Sequence, residues 1–117
     1  MSFIEGDCKK IETVFPATFL ATQPHQWVVI EDARDGMEAV LGHCHLTSGD
    51  YIVCEDTNAN LPSAAEADYD KWGLPKLHAW KRFLAKHGDK YAIDTFFTDL
   101  FGYNSTSNWD GFVRRMK

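Results

Sequence analysis

The sequence predicts an α/β fold built on a parallel strand, helix, strand unit, and three neighbouring stretches carry that prediction. The run Trp27-Val-Val-Ile-Glu-Asp32 is nearly continuous and β-branched, the pattern of a strand buried on both faces of a parallel sheet. Tyr51-Ile-Val-Cys54 is a second such run. Between them Met37, Val40, Leu41 and Cys44 recur at the spacing of an apolar helical stripe, and Ser48-Gly49-Asp50 turns the chain into the second strand. Such a crossover is almost always right-handed, so both strands should end at the same edge of the sheet. With 117 residues, 44% of them hydrophobic, the chain can bury one core and not two, so residues 1–117 read as a single domain.

The remaining elements follow in order. Ser2-Phe3-Ile4-Glu5 is a short strand candidate, closed by Gly6-Asp7. Lys9 to Ala21 is helical in character but interrupted by Pro16, which has no amide proton to give a helix interior. Thr57 to Lys71, rich in Asn, Ala, Ser and acids, reads as a long mobile loop. From Leu74 the apolar positions Leu77, Trp80 and Leu84 share a helical face, with Pro75 near the start and Gly88 at the end; Lys76, Lys81, Arg82 and Lys86 are assigned mostly to the solvated side. Tyr91 to Phe97 and Gly111 to Met116 read as two closing strands around a turn-rich Gly-Tyr-Asn-Ser-Thr-Ser-Asn segment.

Charge and composition exclude several functions. Asp and Glu outnumber Lys and Arg by 17 to 12, so no nucleic acid is expected as a partner. No apolar run approaches the roughly 20 residues that cross a bilayer, and Met1 to Lys10 mixes charge and polarity too closely for a signal peptide, so the expectation is a soluble cytoplasmic protein without a membrane partner. Cys8, Cys44 and Cys54 form no CxxC pair and read as reduced core thiols. His43-Cys44-His45 is no chelating set, because neighbours on one helix diverge by about 100°. Cys54 reads as a buried strand residue, and Tyr69 and Trp72 as loop aromatics tucked onto the sheet.

The chemistry gathers at the strand ends. Asp32 ends the first buried strand and Glu55-Asp56 the second, and in open α/β sheets ligands bind outside the carboxyl ends of the strands. Three oxygen donors without His or thiolate favour a hard ion such as Mg²⁺, Mn²⁺ or Ca²⁺. The same acids could instead cap the helix and turn that follow. Spacing leaves both readings open.

Phe3-Ile-Glu-Gly-Asp-Cys8, Val28-Val-Ile-Glu-Asp32, Ser48-Gly-Asp-Tyr-Ile-Val-Cys-Glu-Asp-Thr-Asn58 and the ending Phe96-Phe-Thr-Asp-Leu-Phe-Gly-Tyr-Asn104 to Gly111-Phe-Val-Arg-Arg115 resemble, in order and across nearly the whole chain, the cephalosporin hydroxylase family. The resemblance implies the carboxy-terminal part of an S-adenosylmethionine-dependent O-methyltransferase similar to enzymes that methylate sugar hydroxyls with Mg²⁺. The implied fold is a truncated Rossmann-type methyltransferase sheet, mostly parallel with an antiparallel carboxy-terminal strand, and lacking the first two strands. By position, Asp32, Glu55 and Asp56 fall on the family's metal ligands. Gly6, Asp7 and Asp32 fall on the donor side. Asp35 stands where the family has a histidine and is the candidate proton acceptor, a weaker base at neutral pH unless its environment raises its pKa.

No GxG-type turn precedes Phe3, so the expectation is that S-adenosylmethionine is held only if another segment or chain completes the site, with a small-molecule hydroxyl compound as acceptor. The rival reading is a non-catalytic half-domain serving as an oligomeric interaction module. Without the first two strands, Trp27 to Asp32 becomes a sheet edge. Either the amino-terminal strand moves across to cover it or a second copy does, and a homodimer is the expected solution.

Overall fold

The computed structural model describes residues 3–32, 36–55, 57, 66–101 and 110–117, with 66–75 and 101 described by their backbone alone. Phe3 to Glu5 joins no ladder among the described residues, and Phe3 and Ile4 are exposed. The strand expected there therefore does not form over the described residues, because extended chain without a partner strand gains no ladder bonds. Two short helices follow, α1 (Ile11–Val14) and α2 (Ala17–Leu20), and Pro16 separates them as the residue that caps α2.

Val28–Glu31 (β1), Met37–His43 (α3) and Tyr51–Cys54 (β2) form the expected unit, and the two strands pair in parallel from Val28 opposite Tyr51 to Glu31 opposite Cys54. Helix α4 runs from Glu66 to His87. It begins well ahead of Pro75, so the end of the expected loop is helical. Strand β3 (Tyr91–Ile93) is shorter than expected because Asp94 accepts from the amide of Phe96 at 3.1 Å, turning Phe96–Phe101 into a helix, α5. Strand β4 (Phe112–Arg115) closes the fold.

The sheet order is β1-β2-β4-β3. β4 opposes both of its neighbours, so β1, β2 and β3 all point one way and the carboxy-terminal strand points the other. Because β4 is inserted between β2 and β3, two of the three ladders are antiparallel despite that common direction.

One face of the sheet is covered by α3 and α4. Ile52, Cys54 and Val113 pack there against Met37 and Leu41 of α3 and Trp80 and Phe83 of α4. Trp80 stacks on Phe83 with ring centroids 5.5 Å apart and donates its indole N–H to the Asp110 carbonyl at 3.1 Å, so its one polar atom is satisfied in the core. The other face departs from the sequence reading: Val28 is 65% and Ile30 67% exposed, so β1 is buried on one side only. It stands at the end of the sheet, with β2 as its only ladder partner among the described residues.

At the amino ends of the strands Asp50 locks the register. Its fully buried carboxylate accepts from the amides of Trp27 at 2.8 Å and Thr47 at 2.7 Å and meets His25 Nδ1 at 2.9 Å, while the His25 ring stacks on Trp27. Burial alone would raise the Asp50 carboxyl, but the Thr47 and Trp27 amides and the His25 ring outweigh it and hold it below the ordinary carboxylate value. Since the folded value is depressed, this stabilisation is complete above the unfolded carboxylate pKa of about 3.9 and is lost as pH falls through the folded one. Asp50→Ala should cost about 3 kcal/mol in urea denaturation at neutral pH, because it strands buried donors. Between about pH 5 and pH 2 the stability of this variant should fall less steeply than that of the wild type.

Candidate functional site

The parallel pairing carries one step beyond the strands: the amide of Glu55 donates to the carbonyl of Glu31 at 2.9 Å. Asp32 and Glu55 therefore leave the sheet side by side, from adjacent strands at one edge. Asp32 is largely exposed and Glu55 half-buried. Asp56, the third expected ligand, and Asp35, the expected proton acceptor, lie outside the described residues. Among the described residues no group of three or more His, Cys, Asp or Glu side chains is placed to hold a metal ion.

Beneath this edge lies a buried ion pair. Lys76, on α4, is 2% exposed, and its Nζ lies 3.4 Å from Glu31 Oε2, 3.3 Å from the Glu31 carbonyl oxygen and 3.7 Å from Asp32 Oδ1. The Cys54 thiol approaches the same Glu31 oxygen at 3.5 Å. Strand alternation explains Glu31: it follows Val29 onto the helix-covered face while Asp32 passes the end of the strand. Grouping Lys76 with the solvated lysines is thus corrected. A signal was available, since Lys76 stands four residues before Trp80 and seven before Phe83, on the buried stripe of its own helix. Arg82 does behave as a surface cation, pairing with Glu38 at 3.2 Å where both are exposed, a contact that contributes little.

Gly6 and Asp7 have local roles in the structure. A side chain at Gly6 would collide with Val14, and Asp7 caps the turn Cys8–Lys10 by accepting from the Lys9 amide at 2.9 Å. Cys8 in turn lies against Gly36, at the start of the helix that follows β1, so this turn stands on the Asp32 side of the unit. His43 donates Nε2–H to the Phe15 carbonyl at 2.6 Å, and burial pushes the Cys44 thiol up, so neither is presented as a ligand. Asp32 and Glu55 are thereby brought together at one edge. Gly6 and Asp7 flank them from a separate turn.

The family model described as Rhamnosyl O-methyltransferase/CmcI matches residues 1–116. The chain belongs to that family. It is an O-methyltransferase-like domain, as the cephalosporin hydroxylase resemblance implied. No curated protein and no solved structure matches it. Among the described residues no helix is long and apolar enough to cross a membrane.

A buried pair of opposite charges makes an asymmetric prediction. Lys76→Met removes the ammonium facing the buried Glu31 carboxylate and should destabilise the fold by about 3–5 kcal/mol. The double substitution Glu31→Gln with Lys76→Met removes both charges and should recover most of that loss in the same urea titration.

Proposed function

We propose that the chain forms the acceptor-side part of a metal-assisted, S-adenosylmethionine-dependent O-methyltransferase acting on a sugar or polyol hydroxyl. Its sheet is read as the carboxy-terminal portion of a Rossmann-type methyltransferase sheet, lacking that fold's first two strands. The observation that carries the proposal is the parallel register that sets Asp32 and Glu55 side by side in a chain of this family.

The donor chemistry fits a hard divalent cation, because Asp32 and Glu55 offer carboxylate oxygens without competing thiolate or imidazole. Asp32, Glu55 and, by its place in the sequence, Asp56 would hold the ion, with Asp35 taking up the hydroxyl proton. A bound divalent ion would lower the pKa of a substrate hydroxyl and fix the direction of its oxygen toward the methyl group. On the donor side, Gly6, Asp7 and Asp32 would meet S-adenosylmethionine, Asp7 from the turn Cys8–Lys10 that one of its two carboxylate oxygens caps. Residues 1–117 hold no glycine-rich turn ahead of Phe3, so this segment by itself is read as incomplete for donor binding. Calorimetry of the purified chain with S-adenosylmethionine should give no micromolar affinity, and such affinity in a demonstrated monomer would refute this part of the reading.

A second reading, an oligomeric module, rests on the open β1 edge. Beside it lies a groove of about 630 Å³ walled by Phe15, Phe19, Leu20, Trp27, Ile30 and Val40, with no charged side chain along it among the described residues. Unpaired strand backbone next to an apolar groove invites another strand. A second copy placed about a two-fold axis would satisfy both edges at once, so a homodimer is proposed. Light scattering should give a dimer that Val28→Lys with Ile30→Lys converts to monomer, and a wild-type monomer at working concentration would count against it.

A further inference from the structure

We infer that Lys76 is a resident counter-cation of the acidic edge, which balances Asp32 without a divalent ion and weakens the binding of one. The inference rests on the proposed cation site at Asp32 and Glu55, and it adds a residue that the sequence pattern of carboxylates does not contain.

Three features keep the ammonium in place. Its side chain is 2% exposed, so it cannot swing into water as surface lysines do. Its nearest partner, Glu31, is equally buried, with Oε2 at 3.4 Å, and that oxygen is also approached by the Cys54 thiol at 3.5 Å. The Glu31 carbonyl, at 3.3 Å, gives a further acceptor, fixed by the backbone of β1. From that position Nζ reaches Asp32 Oδ1 at 3.7 Å. Asp32, 67% exposed, thus has one side toward the ammonium and the rest toward solvent.

Any cation that binds Asp32 from the solvent side shares the carboxylate with Lys76 and is repelled by it. Salt screens surface charges within about a Debye length of roughly 8–10 Å of water, but a buried ammonium is screened far less. The repulsion therefore persists at ordinary ionic strength. Lys76 acts through Asp32 and does not itself ligate a cation, so it is a positioning residue. Its effect is on affinity, and its sign is opposite to that of structural damage: disorder at the site would weaken cation binding, whereas removal of a competing charge tightens it.

Mn²⁺ alone is the probe, its free concentration read by electron paramagnetic resonance during titration of the full 117-residue chain. Lys76→Met should bind Mn²⁺ at least about tenfold more tightly than wild type, because a buried, weakly screened ammonium 3.7 Å from Asp32 is removed and the Glu31 carboxylate it balanced is left to attract the ion. Should that variant fail to fold, Glu31→Gln with Lys76→Met keeps the volume, leaves no buried charge unpaired and should still tighten binding severalfold. Asp32→Asn should weaken it in every background. Binding that depends on Asp32 but is unchanged or weaker on removal of Lys76 overturns this inference and leaves the cation site standing. Mn²⁺ binding in no variant, or binding indifferent to Asp32, overturns the site and the inference together.

Discussion

The parallel pairing of β1 with β2 is the constraint from which the rest of the structure takes its positions. It is fastened at both ends by groups outside the strands. Ahead of them, the Asp50 carboxylate accepts from the Trp27 amide; beyond them, the Glu55 amide donates to the Glu31 carbonyl. A slip of one residue would exchange the faces of every side chain in the slipped strand, moving Glu31 away from Lys76 or Cys54 out of the core. The register also decides which acids meet. Asp32 and Glu55 are neighbours because Glu31 pairs with Cys54, and for no other reason.

The second consequence is electrostatic. A strand that leads into an acidic edge must end near the core, and Glu31 ends it with a carboxylate inside. Burial of that group is tolerated because α4 brings Lys76 against it, and such pairs are costly to break yet contribute little net stability compared with apolar packing. The arrangement therefore makes better sense as a way of placing charge at the edge of the sheet than as a source of stability. The acid and base that hold each other beneath the edge also set the field in which Asp32 acts.

The βαβ unit was legible because its two apolar runs and the stripe of Met37, Val40, Leu41 and Cys44 have unambiguous periods. The acidic edge was legible for a related reason, since strand ends and crossover direction together fix where Asp32 and Glu55 go. What the periodicity does not show is decided by caps, by helix extent and by tertiary partners. Phe3 to Glu5 has strand composition but no partner strand among the described residues. Tyr91 to Phe97 reads as one strand until the Asp94 side chain caps the following helix. Glu66 to Lys71 reads as a loop because Pro75 marks a helix start by its missing amide, whereas the helix runs through it. The charge of Lys76 points to solvent while its place on the stripe with Trp80 and Phe83 points to the core, and the continuous apolar run conceals the alternation of Glu31 with Val29. The donor-side residues were legible only by resemblance; in the structure Gly6 is required by the approach of Val14 and Asp7 by a cap.

The cation site proposed at the carboxyl edge of β1 and β2 can be mapped by paramagnetic broadening of backbone amide resonances with substoichiometric Mn²⁺. Broadening should be strongest at Asp32, Glu55 and Thr57 and should spare Tyr91 and Arg115 at the far end of the sheet. Broadening centred on other acids, such as Asp89 or Asp94, or spread evenly over the exposed carboxylates, would contradict it.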